Sequence, residues 1–262
     1  MRRRGWACLM YHEVPRETSD AGYFAVPRDR LAAHLDAIHA LGLSARSLEE
    51  VLARPAGDSV ALTFDDGHET HYREAFPLLV ERQATATFFV ASAQVGASGY
   101  VTWEQLREMA AAGMSIQSHT ATHPFLSELS RQDATRELAA SKAAIERKLG
   151  RACTTLALPG GDAPRAWRPA DYAALGYQCV ATSRWGPNGL PPVSATGGMR
   201  FVRRYTVRRE TPDLILQRLA RAEEPAVGLE GIRQQALRAV RSTVGPSRYS
   251  RWRLRVLRML GR

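Results

Sequence analysis

With 262 residues, 45% of them hydrophobic, the chain is long and apolar enough to fold as one large domain, which excludes an intrinsically disordered polymer. Its net charge of +10 is uneven: residues 217–262 hold 11 Arg against 3 Glu, a net of +8, and leave about +2 for residues 1–216. The basicity therefore belongs to the tail. No recognised nucleic-acid-binding motif accompanies it, so no nucleic-acid partner is expected.

In chain order, Met1-Arg2-Arg3-Arg4 has the charge of a secretory leader, but the apolar stretch behind it stops at Met10 and is cut by Tyr11-His12-Glu13. No segment approaches the ~20 apolar residues that span a bilayer. The expected location is cytoplasmic, with peripheral attachment at the inner membrane face as a variant. Cys8, Cys153 and Cys179 are odd in number, form no C-x-x-C pair and lie in apolar segments, which predicts buried free thiols and suits a reducing compartment.

Short apolar runs at 6–11, 60–64, 84–91, 114–118, 153–158, 177–181 and 201–207 predict seven strands. Helical spacing separates them, as in Leu31, Leu35 and Ile38, and again in Leu138, Ile145 and Leu149. Thr102 and Gln105 form a capping-box pattern, Gly113 and Gly150 end helices, and Thr211-Pro212 predicts a helix with Thr211 as cap and Pro212 at its first position. Strands alternating with helices imply a parallel sheet, and closure into a barrel is plausible. The segment 187–198 reads as a Gly- and Pro-rich loop.

Parallel α/β folds collect their chemistry at the C-terminal ends of strands. Thr63-Phe64-Asp65-Asp66-Gly67 ends the second run there. Alone, Asp-Asp-Gly reads as a turn, yet two adjacent carboxylates after a buried strand repel each other unless a positive group sits with them. His119-Thr120-Ala121-Thr122-His123-Pro124 follows the fourth run. Its i, i+4 spacing predicts both imidazoles on one face of a helical turn stopped by Pro124, although two solvated loop histidines would give the same pattern. Thr120 in place of Glu excludes the H-E-x-x-H protease motif. His34 and His39 read as packing or surface residues, and His68 and His71 as structural neighbours of the site.

On these residues the chain resembles the polysaccharide deacetylases, the NodB-homology or carbohydrate esterase family 4 group, over about residues 7–210. Ala86-Thr87-Phe88-Phe89-Val90 and Thr102-Trp103 match intervening stretches of that family. The resemblance implies a distorted (β/α)7 barrel in which Asp66, His119 and His123 bind a divalent metal, usually Zn2+, while Asp65 is the general base. Leu158-Pro159-Gly160-Gly161-Asp162 looks like its third motif, where the Gly160 N–H would help hold the oxyanion; the usual aromatic is replaced, and the segment lacks the arginine with which many members orient the catalytic Asp. The family also needs a general acid, often a C-terminal histidine, and 201–262 contains none. His12 resembles the N-terminal Tyr-His of exopolysaccharide deacetylases and, where first and last strands meet, would fill that place; a structural hydrogen bond at a strand end is the equal alternative.

The implied activity is metal-dependent removal of acetyl groups from N-acetylated amino sugars in a polysaccharide or lipid-linked glycan. Two alternatives stay open: a deacylase or deformylase of another sugar amide on a lipid carrier, or a catalytically weakened barrel that binds glycan. The expected organisation is a barrel over 1–216 and an Arg-rich helical extension over 217–262. Within that extension Tyr249, Trp252, Val256, Met259 and Leu260 oppose Arg248, Arg251, Arg255, Arg258 and Arg262. That pattern suits either a helix on an anionic membrane surface or one packed on the barrel.

Overall fold

The computed structural model describes residues 5–17, 22–54, 58–189 and 198–223. The charged start, most of the loop at 187–198 and the amphipathic tail thus lie outside the described residues. Ten strands occur among them: β1 (Gly5–Tyr11), β2 (Ser44–Arg46), β3 (Ser59–Phe64), β4 (Thr87–Val90), β5 (Ser115–Ser118), β6 (Thr155–Ala157), β7 (Cys179–Ala181), β8 (Asn188–Gly189), β9 (Arg200–Val202) and β10 (Tyr205–Thr206). The α-helices are α1 (Arg28–Ala40), α2 (Leu48–Ala53), α3 (Phe76–Glu81), α4 (Trp103–Ala111), α5 (Arg131–Leu149), α6 (Pro169–Ala174) and α7 (Asp213–Ala220). None is long and apolar enough to cross a membrane.

The main sheet runs β10-β1-β3-β4-β5-β6-β7-β9, with every neighbour parallel. Its two outer strands, β9 and β10, are separated in sequence by Arg203 and Arg204 alone, so the chain itself spans the seam of a nearly closed barrel. This corrects the single strand expected at 201–207: it is two short strands at opposite ends of the sheet. β2 and β8 were also not anticipated. β2 pairs with the beginning of β3 and β8 runs antiparallel to β1, and both are too short to show a period-2 signal.

Alternation along the strands separates two cores. Leu9, Tyr11, Leu62, Phe64, Phe88, Val90 and Leu156 face outward under the helices, whereas Trp6, Cys8, Ala61, Phe89, Ala157, Cys179, Ala181 and Val202 form the smaller inner cluster. Leu48 and Val51 of α2 join the inner cluster, and the Leu48 N–H donates to Thr87 Oγ1 at the start of β4. α2 therefore plugs the end of the barrel where strands begin, leaving the opposite rim for chemistry. All three cysteines are buried and free, as expected.

Helix ends follow the sequence signals with one shift. Thr102 and Gln105 close a capping box on α4, and α5 runs from a Ser130 cap to Gly150 in the left-handed conformation. At α7 the cap is Pro212 itself, because the Thr211 hydroxyl instead accepts from the Arg208 N–H.

Behind the site rim, Tyr11, Phe64 and Phe88 occupy one register row on β1, β3 and β4 and stack at centroid distances of 5.2 and 4.9 Å. α1 covers this row with His34, whose Nδ1 lies 3.3 Å from Tyr11 Oη. Burial is the main reason that the His34 pKa falls to about 4. The unfolded chain then takes up a proton near pH 6.5 that the native state refuses, so His34 withdraws stability as pH falls from 6.5 towards 4. We expect His34→Gln to flatten the pH dependence of urea unfolding in that window by ~3 kcal/mol. Parallel curves for the two proteins would contradict a neutral buried His34.

Candidate metal and catalytic centre

The alternation that puts Ala61 and Thr63 inside the barrel also sends Asp65, the residue after β3, inward, and His119 follows Ser115 and Gln117 of β5 in the same way. Asp65 is 3% exposed. Its neighbour breaks the strand pattern: Asp66 and Gly67 both adopt positive φ, 82° and 76°, and Asp66 meets different partners from Asp65. Gly67 is also packed tightly, since an added Cβ would lie 3.1 Å from Val90 Cγ1.

Asp65 meets Arg204, a fully buried residue that the seam between β9 and β10 directs into the barrel. The pair is bidentate, with Arg204 Nη1 donating to Asp65 Oδ1 at 2.6 Å and Nη2 to Oδ2 at 2.8 Å. The remaining guanidinium donors reach Thr182 O and Thr63 Oγ1, and the group lies over the Phe89 ring at 5.4 Å. Burial, the largest single influence, would raise the Asp65 pKa, but the charge and hydrogen bonds of Arg204 together with His119 and His12 outweigh it and hold the carboxyl below its ordinary value. Arg204 was missed in the sequence, where an arginine was sought near Leu158–Asp162 and found absent. The structure supplies one from the seam between β9 and β10.

Asp66 Oδ1 lies 3.2 Å from both His119 Nε2 and His123 Nε2. One ligand atom from each of the three residues falls within 4.8 Å of the others. The histidines are not on a helical turn, contrary to the spacing argument: Thr120 and His123 have φ of 67° and 63°, and the segment is an irregular loop. Left-handed conformations fold the loop back, bringing the rings to 4.8 Å between centroids. His119 Nδ1 is 2.9 Å from Ala157 O, and a carbonyl can only accept, so Nδ1 carries a proton and Nε2 faces Asp66. Burial opposes protonation of His119, yet Asp65 and Asp66 outweigh it and raise its pKa. Asp66 lies well below the usual carboxylate range, because His119, His123 and His12 together outweigh its burial.

The centre thus favours positive charge at the point where three ligands converge. Ligands at 2.0–2.2 Å around a tetrahedral ion stand about 3.3 Å apart. The donor chemistry, the spacing and the carbonyl behind His119 all fit a divalent metal bound by two imidazoles and one carboxylate, with a further position open.

His12 follows β1 on the same rim, where the Asp65 N–H donates to Tyr11 O at 3.0 Å. Three bonds hold residues 12–14: His71 Nε2 donates to His12 O at 2.9 Å, the Val26 N–H to Glu13 O at 2.9 Å, and the Val14 N–H to Thr70 Oγ1 at 3.0 Å. His71 opens a π-helical turn at His71–Ala75 and packs against Phe64 and Phe88, which makes it structural, as expected. Burial lowers the His12 pKa, while Asp66 and Asp65 act in the opposite sense. Gly160 lies in the tight turn Pro159–Gly161 after β6, on this rim too, with φ 56° and ψ 15°. Beside it, a Cβ on Gly161 would come within 2.7 Å of Ser183 Cβ.

Removing Arg204 while keeping Asp65 leaves a buried unpaired carboxylate. Arg204→Met is expected to lower stability by about 3–5 kcal/mol at pH 7, with partial recovery in the double variant carrying Asp65→Asn. Urea unfolding reads this. A single variant within 0.5 kcal/mol of the parent would show that the pair does not control this part of the fold.

A family model described as polysaccharide deacetylase matches residues 53–180. The chain is 31% identical over 159 residues to a putative polysaccharide deacetylase, YxkH, of Bacillus subtilis, covering 58% of this chain and 56% of that one. It is 39% identical over 88 residues to a chitooligosaccharide deacetylase of Sinorhizobium fredii, covering 33% of this chain and 39% of the relative. These matches span about half or less of the two curated relatives. Among solved structures it resembles the Streptococcus pyogenes deacetylase PplD in complex with acetate, with a TM-score of 0.73, 26% identity, and coverage of 83% of this chain and 99% of that one. The barrel, its rim motifs and these likenesses agree, and the chain belongs to the polysaccharide deacetylase family.

Proposed function

We propose that the protein is a metal-dependent carbohydrate N-deacetylase that hydrolyses the acetamide of an N-acetylated amino sugar in a polysaccharide or lipid-linked glycan. One observation carries this reading: Asp66 Oδ1 stands 3.2 Å from both His119 Nε2 and His123 Nε2, while adjacent Asp65 is held apart by Arg204. Asp66, His119 and His123 would hold the metal. Zn2+ is the best match to two imidazoles and a carboxylate with an open position. When bound, such an ion supplies Lewis-acid polarisation of the amide carbonyl and acidifies water.

The residues divide the remaining work. Asp65, ionised through Arg204 and directed into the same space, takes the proton from the attacking water. The Gly160 N–H, in the rim turn, would donate to the developing oxyanion. His12, on a segment fixed by His71 and Thr70, would enter the reaction as an imidazolium and donate its own proton to the departing amine, and the proton on Asp65 is released afterwards. Two relatives support this choice of substrate: one is a chitooligosaccharide deacetylase and another a deacetylase in complex with acetate. The barrel over 1–216 would form the catalytic unit, although α7 continues to Ala220. The extension beyond it is assigned no role in the chemistry.

The test combines metal analysis with acetate release from N-acetylglucosamine oligomers. We expect stoichiometric zinc, measurable release, and an Asp65→Asn variant that keeps its metal but loses turnover by at least ~100-fold. Full activity in that variant would refute the base assignment. Stoichiometric metal with no release from any of several glycans would favour a glycan-binding barrel instead.

A further inference from the structure

The loop carrying both histidines cannot satisfy its own backbone. Thr120 and His123 are left-handed and residues 120–123 join neither a helix nor a strand, so each of their N–H groups needs an acceptor outside the regular backbone ladders. The Thr120 N–H finds Ser118 Oγ at 3.2 Å, and the His123 N–H finds Thr120 Oγ1 at 3.0 Å. The two between them converge on a single side chain. Glu137 of α5 accepts from the Ala121 N–H at 3.0 Å and the Thr122 N–H at 2.9 Å through Oε2, and from the Thr122 hydroxyl at 2.9 Å through Oε1. One turn along α5, Ser141 accepts from Ser118 Oγ at 2.8 Å. On the other side of the loop, the carbonyls of Thr120 and Ala121 accept from the N–H groups of Ser92 and Ala93.

We infer that Glu137 is a positioning residue for the metal centre: its carboxylate clamps the Ala121–Thr122 peptide and so fixes the left-handed turn that aims His119 and His123 at Asp66. The inference rests on the metal reading above. It adds that metal affinity is set from α5, by a residue outside both rim motifs. Without the clamp, two adjacent N–H groups must turn to water, and the turn that keeps the two rings converged is no longer enforced. Loss of such an outer contact typically weakens metal binding 10–100-fold.

Gln is the discriminating substitution. Its amide oxygen can accept from both N–H groups, and its NH2 can donate to the Thr122 hydroxyl, so the clamp survives without the charge. The experiment measures zinc affinity of the full chain by competition with a chromogenic chelator, without substrate, for the parent, Glu137→Ala and Glu137→Gln. Amide hydrogen exchange at Ala121 and Thr122 is followed in the metal-free proteins. We expect Glu137→Ala to bind zinc ~10–100-fold more weakly and to lose protection at those two amides, while Glu137→Gln retains both. Parent-like zinc affinity in Glu137→Ala, or a Gln variant as weak as the Ala variant, overturns the clamp. A parent chain that binds no zinc overturns the metal reading itself, and the clamp's role in affinity with it.

Discussion

The buried pair between Arg204 and Asp65 is the constraint on which the rest of the centre depends. An ionised carboxylate inside a barrel carries a desolvation cost of several kcal/mol, and only a well-aligned, fully hydrogen-bonded partner offsets it. Arg204 meets that condition because its donors also reach Thr63 and Thr182, leaving the guanidinium satisfied on three sides. The barrel seam in turn makes the arginine available: β9 and β10 end the sheet on opposite sides, and the two residues between them must cross the gap. A closure device of the fold thereby becomes an electrostatic one.

From this pair follows the division between two adjacent aspartates. Asp65 is anchored by both of its oxygens, so it is a poor candidate for a ligand and a suitable one for a base. Asp66, at positive φ and free of Arg204, meets the two imidazoles. The raised affinity of His119 for a proton expresses the same imbalance, since two carboxylates face it with only one arginine between them. A site that draws a proton to this position is arranged to draw a metal ion there.

Much of this was legible in the sequence because it is written locally. The strand before Asp65 is an apolar run and the one before His119 alternates Met114 and Ile116 with polar residues, and period-2 alternation is enough to send both residues into the barrel. The capping box at Thr102 and the glycine after α5 are likewise local signals. The contribution of Arg204 was illegible for the opposite reason: its meaning comes from a break within an apolar run that reads as one strand, and from a partner 139 residues away. The helical turn assumed at His119 and His123 failed because spacing does not reveal φ. Thr120 adopts a conformation that its type disfavours, held by hydroxyl and carboxylate acceptors that only the fold assembles. Thr211 reads locally as a helix cap, but its hydroxyl accepts from the Arg208 N–H.

The central claim is that Arg204 withholds Asp65 from the metal while Asp66 provides the carboxylate ligand. A crystal structure of the zinc-loaded protein, with anomalous diffraction at the zinc edge, tests this most directly. The account requires zinc bound by Asp66, His119 Nε2 and His123 Nε2, with Asp65 still paired to Arg204. Zinc coordinated by Asp65, or zinc located away from these three residues, would contradict it.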